Sequence, residues 1–134
     1  MEKATWIKTI CAALGGMVSA LFGPADAWLY ALLFCIVADY ITGLCAAAYE
    51  KKLNSKTGFR GILKKIVILV LVALAYTVGH VVGLDSIRDL VIGFYIANEG
   101  ISILENAGRM NVPVAKQLSN VLEQLKDQAE DDDK

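Results

Sequence analysis

The sequence predicts an all-α integral membrane protein, with about four transmembrane helices followed by a C-terminal cytoplasmic amphipathic helix. Three observations carry that reading. Of the 134 residues, 56% are hydrophobic and the mean hydropathy is +0.51, above the apolar share of about 45–50% usual in soluble domains. These residues fall in long blocks instead of recurring with the period of a soluble core. The charges are clustered so that every connecting loop agrees on one orientation. Residues 1–110 form a transmembrane helical domain, 111–130 the amphipathic helix and 131–134 an acidic tail.

The first span covers about residues 7–22 and ends at Gly23-Pro24. Lys3 and Lys8 precede it, but Ala20-Leu21-Phe22-Gly23-Pro24 makes a poor signal-cleavage site. The block is short against the roughly 20 residues that a span requires. If it only lies in the interface, the count becomes three and the N-terminus changes side. The second span, about 28–49, has Trp28 and Tyr30 at one end and Tyr49 at the other as interface anchors. Only Asp39 interrupts it, eleven residues from Trp28 and ten from Tyr49. The third span, about 62–83, has no formal charge beyond Lys64 and Lys65 at its start and bears a single histidine, His80. The fourth, about 87–106, is apolar on one side, with Ile96 and Ile103. At 100° per residue Asn98, Ser102, Glu105 and Arg109 fall within an arc of roughly 60° on the other, flanked by Glu99 and Asn106.

Gly108, Asn111 and Pro113 end that helix and start another. Val114, Leu118, Val121 and Leu125 then recur at helical spacing, with Leu122 widening the face, over a stretch too short for a coiled coil. The expected location is the membrane surface or a neighbouring copy. The closing Asp131-Asp132-Asp133-Lys134 reads as a charged tail and also resembles an enterokinase cleavage site.

Loop charge sets the topology. Lys51, Lys52, Lys56, Arg60, Lys64 and Lys65 face one acid, Glu50, and mark a cytoplasmic, topology-setting loop. The loops holding Asp26 and holding Asp85, Arg88 and Asp89 belong outside, which puts both termini in the cytoplasm. The basic loop also has the composition to meet anionic lipid headgroups. Close helix approach in lipid needs small residues. Ala75, Gly79 and Gly83 form one such ridge; Ala12, Gly16 and Ala20 a second; Gly15, Ser19 and Gly23 a third; Gly43 and Ala47 follow Asp39. These ridges serve packing within the chain or between copies.

Asp39, Asn98, Glu99, Ser102 and Glu105 are the candidate pore-lining or helix-contact residues. A carboxylate in hydrocarbon costs about 2.5–3.5 kcal/mol on insertion scales, so each must face water or a polar partner. For Asp39 the partners in reach are Asn98 and Tyr95, and Glu105 and Arg109 are spaced for an i, i+4 ion pair. Cys11, Cys35 and Cys45 lie in apolar segments without a metal-binding or disulfide pattern. No catalytic motif and no cofactor site is found. The net charge of −1 gives no signal for nucleic acid.

Three runs resemble the phage-lysis and toxin-secretion holin family, its clostridial toxin-secretion members above all. The first is Asp39-Tyr40-Ile41-Thr42-Gly43; the second spans Glu50 to Ser55 and Gly58 to Ile62; the third is Phe94 to Asn106, with Asn98-Glu99-Gly100-Ile101-Ser102-Ile103-Leu104-Glu105-Asn106 the most specific. The resemblance covers about Ala38 to Lys126. It implies a non-enzymatic homo-oligomer of the bacterial cytoplasmic membrane whose assembly opens a lesion, collapses the membrane potential and releases an endolysin or a large toxin. It also implies three spans in many relatives. The rival readings are a small ion channel or proton-coupled transporter using Asp39 or Glu99, and a non-conducting scaffold whose last helix recruits a partner.

Overall fold

The computed structural model describes residues 1–132; of the expected acidic tail, Asp133 and Lys134 lie outside the described residues. Five helices follow one another: α1 (Glu2–Phe22), α2 (Ala27–Tyr49), α3 (Ser55–Val82), α4 (Ser86–Arg109) and α5 (Lys116–Asp132). Each boundary has a local cause. Gly23, at φ 80°, and Pro24 end α1, with the Gly23 N–H donating to the Ser19 carbonyl. A Cβ on Gly23 would stand 2.7 Å from the Tyr76 ring, so the position needs glycine for space as well as for φ. Asp26 caps α2 by accepting the Leu29 N–H at 3.0 Å. Asn54 caps α3 by accepting the Thr57 N–H at 2.8 Å. Gly83, left-handed at φ 75°, closes α3.

The caps move several expected boundaries. Asn54 starts α3 at Ser55, well before residue 62, so Lys56, Arg60, Lys64 and Lys65 ride on a helix instead of a loop. The α4 helix continues to Arg109 rather than ending at 106, and α5 begins at Lys116 and includes Asp131 and Asp132. Gly83 is a helix cap, and a Cβ there would meet nothing within 4 Å, so it makes no close helix contact within the chain.

Among the described residues, α1, α2 and α3 are the helices long and apolar enough to cross a membrane. The expected fourth span, α4, is not one of them, because Arg88, Asp89, Glu99, Glu105 and Arg109 dilute its apolar content. It is nevertheless the centre of the bundle. Leu32 and Ile36 of α2, Val72 of α3 and Ile92 of α4 form the core, with Tyr95 and Ile96 packed against it. Trp28 meets Gly93 at one end of the α2–α4 pair and Glu50 meets Arg109 at the other. The two helices therefore run parallel over the same length, with α3 antiparallel between them in sequence. One end of the bundle gathers Asp26, Asp85, Arg88 and Asp89; the other gathers Glu50, the α3 lysines and Arg109.

Two helices depart from that core in opposite ways. α1 has no buried residue, and Cβ atoms on Gly15 or Gly16 would meet nothing within 4 Å. α5, expected to pack on the membrane surface or on a neighbouring copy, doubles back along α4 of its own chain. Leu122 covers Gly100 and Leu125 lies near Gly93, while Ala129 and Asp132 border the same groove as Ser86 and Asp89.

Candidate functional site

Three charged side chains meet inside the bundle. Asp39 precedes the α2 terminus Tyr49 by ten residues, Lys65 follows the α3 start Ser55 by ten, and Glu99 precedes the α4 terminus Arg109 by ten. At about 1.5 Å per residue each lies roughly 15 Å from the basic end. The Lys65 ammonium donates to both carboxylates, to Asp39 Oδ2 and to Glu99 Oε2. Asp39 is 8% exposed and Glu99 6%, so neither faces the outside of the protomer. Removing either charge from water is costly, and the shared cation with added hydrogen bonds is what offsets it.

Asn106 completes the group. Its amide donates to Asp39 Oδ1 at 3.1 Å and to the Thr42 hydroxyl at 2.9 Å. Ser102 stands beside the Asp39 carboxylate. From Asn106 the network continues outward. Arg109 Nη1 donates to Asn106 Oδ1 at 3.3 Å, and Arg109 Nε donates to Glu50 Oε1 at 2.8 Å. The Arg109 guanidinium beside Glu50 holds that carboxyl below its usual value. An unbroken polar path thus runs from Glu99 at mid-length to Glu50 at the basic rim, and no buried side-chain polar atom among the described residues lacks a partner.

Several sequence expectations are redrawn here. Asp39 finds Lys65, Asn106 and Thr42, not Asn98 or Tyr95. Arg109 bonds Glu50 across the α2–α4 contact, not Glu105 along its own helix. The polar stripe of α4 divides: Glu99 and Asn106 are buried, Ser102 is half-buried, and Asn98 and Glu105 are exposed on the outer edge. Lys65 leaves the topology-setting group of bases for the interior, whereas Lys51, Lys52, Lys56, Arg60 and Lys64 stay exposed. Gly43 lets Asn106 approach, its Cβ position lying 3.6 Å from the amide nitrogen. Ala75 and Gly79 are buried within the chain, and a Cβ on Gly79 would stand 2.7 Å from the Leu84 carbonyl oxygen.

The second charged cluster was not singled out from sequence. Arg88, 4% exposed, ties the start of α4 to the α1–α2 turn. Its Nε donates to the Phe22 carbonyl at 2.6 Å, Nη2 to the Pro24 carbonyl at 2.7 Å and Nη1 to Asp26 Oδ2 at 2.8 Å. Asp89 accepts a further bond at 3.0 Å. The guanidinium holds the Asp26 carboxyl below its usual value. The available signal was compositional: Arg88 is the lone base in loops otherwise holding Asp26, Asp85 and Asp89.

A helical bundle with apolar spans and a fully satisfied ionic network at mid-length defines a membrane protein whose charges organise helices. Its sequence says which one. Residues 16–127 match the bacteriophage holin family, and the chain belongs to that family. It is similar to a protein of uncharacterised function from Listeria monocytogenes, 49% identical over 109 residues, 81% of this chain and 78% of the relative. A relative from Halalkalibacterium halodurans is 43% identical over 126 residues, 90% of this chain and 93% of that one. An uncharacterised 14.9 kDa protein in the nagH 3′ region of Clostridium perfringens is 40% identical over 122 residues, 90% and 92% of the two chains. No solved structure matches.

Proposed function

We propose that this protein is a holin of the bacterial cytoplasmic membrane, which oligomerises there, opens a lesion that collapses the membrane potential, and so releases an endolysin or a large toxin. The observation that carries the reading is the outer edge of α4. Asn98 and Glu105 are exposed on a helix that runs beside the apolar α2 over its whole length. In a single protomer within lipid they would face hydrocarbon. Assembly gives them other copies or water to face instead. The unburied α1, with Gly15 and Gly16 in open space, adds surface for self-association. The five exposed bases Lys51, Lys52, Lys56, Arg60 and Lys64 favour a cytoplasmic location for the α2–α3 turn, with α4 as a fourth crossing.

The test is expression in bacteria with membrane potential followed by a voltage-sensitive dye. The reading expects abrupt depolarisation above a threshold of accumulated protein, and a flat trace at every expression level would overturn it. One observation favours a second reading, a small ion channel or proton-coupled transporter: the two carboxylates around Lys65 are the groups such a device would titrate. It expects saturable, ion-selective flux that Asp39→Asn abolishes without disturbing assembly.

A further inference from the structure

The basic end of the bundle carries a groove that the ionic network does not use. α2 packs along α4 and meets α3 only lightly, and near their shared turn the two helices part. Between them lies a groove of about 620 Å³, inside the range of about 300–1,000 Å³ usual for ligand sites. Leu44, Phe59 and Ile62 give it apolar walls, and Leu53, Asn54 and Ser55 form its mouth. Leu53, Phe59 and Ile62 are all exposed. Tyr40 makes the floor. Its ring lies over Gly58 and Gly61, whose Cβ positions are 3.4 Å from the Tyr40 hydroxyl and 3.5 Å from its Cε2.

The groove matches one leaflet in depth. Ile62 follows the α3 start by seven residues and Tyr40 precedes the α2 terminus by nine. It therefore runs about 10–14 Å down from the turn, most of the half-thickness of a bilayer core of about 30 Å. Apolar walls at that depth suit an acyl chain. The mouth suits a phosphate. Lys52 and Lys56 bracket it in sequence, and both are exposed. Glu50, the one acid of this turn, is 4.0 Å from Lys52 and is already bound to Arg109 at 2.8 Å. Asn54 takes the Thr57 and Gly58 N–H groups with its side chain and carbonyl. Those of Ser55 and Lys56 are left at the positive end of the α3 dipole, an arrangement that accepts phosphate. A free anion would use the mouth alone; the apolar groove below it selects an amphiphile.

We propose that this groove binds one anionic phospholipid of the cytoplasmic leaflet, its phosphate between Lys52 and Lys56 at the start of α3 and one acyl chain along Leu44, Phe59 and Ile62. The leaflet assignment rests on the cytoplasmic placement of the α2–α3 turn given above; the site needs only α2 and α3 in the membrane and no lesion.

The purified full chain in non-ionic detergent micelles is titrated with phosphatidylglycerol, or with phosphatidylcholine of the same acyl chains. Native mass spectrometry counts bound lipid and copies of the chain. One phosphatidylglycerol per protomer should bind at least about tenfold more tightly than phosphatidylcholine, the scale that two bases supply. The pair Lys52→Gln, Lys56→Gln should lose most of that preference, and the pair Lys3→Gln, Lys8→Gln, which removes equal charge elsewhere, should keep it. Gly58→Leu should fill the groove and weaken binding by a similar factor with helical circular dichroism unchanged, since its added Cβ meets only ordinary contacts at 3.4 and 3.8 Å. Leu53→Asn, at an exposed lip, repeats that test without added bulk. Equal affinity for the two lipids, or equal loss in both lysine pairs, overturns the proposal. So does binding indifferent to both Gly58→Leu and Leu53→Asn, or displacement by millimolar inorganic phosphate, which marks a simple anion site. A change in copy number in Gly58→Leu at constant lipid count would assign the groove to a second copy instead. Micelles have no sides, so these outcomes leave the holin reading untouched. Labelling of Lys52→Cys from outside intact cells, in a chain with Cys11, Cys35 and Cys45 replaced by alanine, would overturn the leaflet assignment.

Discussion

Replacing Lys65 by methionine is the sharpest test of the interior network. The ammonium is the single cation between Asp39 and Glu99, whose exposures are 8% and 6%. Methionine keeps the length and apolar stem of lysine but leaves two carboxylates facing each other at the helix junction. Removing one partner of a buried ion pair costs about 3–5 kcal/mol, because the remaining charge is uncompensated. At about 1.4 kcal/mol per factor of ten, that weakens the folding equilibrium by roughly two to nearly four decades. The triple change Asp39→Asn, Lys65→Met, Glu99→Gln removes all three charges while nearly preserving volume, and neutral replacement of a buried ionic set is often tolerated. The assay is reversible unfolding of the purified protein in mixed micelles, titrated with SDS and followed by helical circular dichroism. The single variant should lose most of its stability and the triple should regain most of it. A loss below about 1 kcal/mol in Lys65→Met, or a triple as damaged as the single, would refute the view that this cluster holds α2, α3 and α4 together.

Other consequences are quicker to check. Arg88→Met strands the Phe22 and Pro24 carbonyls and should cost about 1–3 kcal/mol in thermal unfolding. Arg88→Lys should recover only part, since a point charge cannot fork to both carbonyls and Asp26. The Asp26 carboxyl is held low by its bond to Arg88, so its contribution is complete above the ordinary aspartate value of about 3.9 and disappears as pH falls through the lower folded-state value. Unfolding temperature should therefore hold steady from neutrality to about pH 5 and drop below about pH 4; Asp26→Asn should flatten that drop, and an unchanged profile would speak against the clamp. Gly100→Leu should displace α5 at a cost of about 1–3 kcal/mol from overpacking, raising the rate of limited proteolysis within α5 over wild type.

The depth match at the centre of the bundle was nearly legible in the sequence. Asp39 stood out as a carboxylate in an apolar block, and Glu99 as one in a polar-striped helix. What hid their partner was the start of α3. Starting the helix at residue 62 left Lys65 at its mouth among other bases; starting it at Ser55, as the Asn54 cap dictates, takes Lys65 ten residues in, level with both carboxylates. Arg109 was misassigned for a related reason. The i, i+4 rule ranks Glu105 first, but the parallel course of α2 and α4 brings Glu50 to the same guanidinium. The doubling back of α5 was not readable, because a sequence reports an amphipathic face without naming the surface that receives it. Gly93 and Gly100, seven residues apart, were its only trace.

Whether the protein opens the membrane by assembly is decided most directly by reconstitution. The purified chain is added at increasing protein-to-lipid ratio to liposomes loaded with a small anionic dye and a large labelled dextran, and release is followed vesicle by vesicle. A holin gives no release below a threshold, then abrupt, all-or-none loss of the dye followed by the dextran. Graded, saturable and ion-selective flux with the dextran retained, or no release at any ratio, would contradict it.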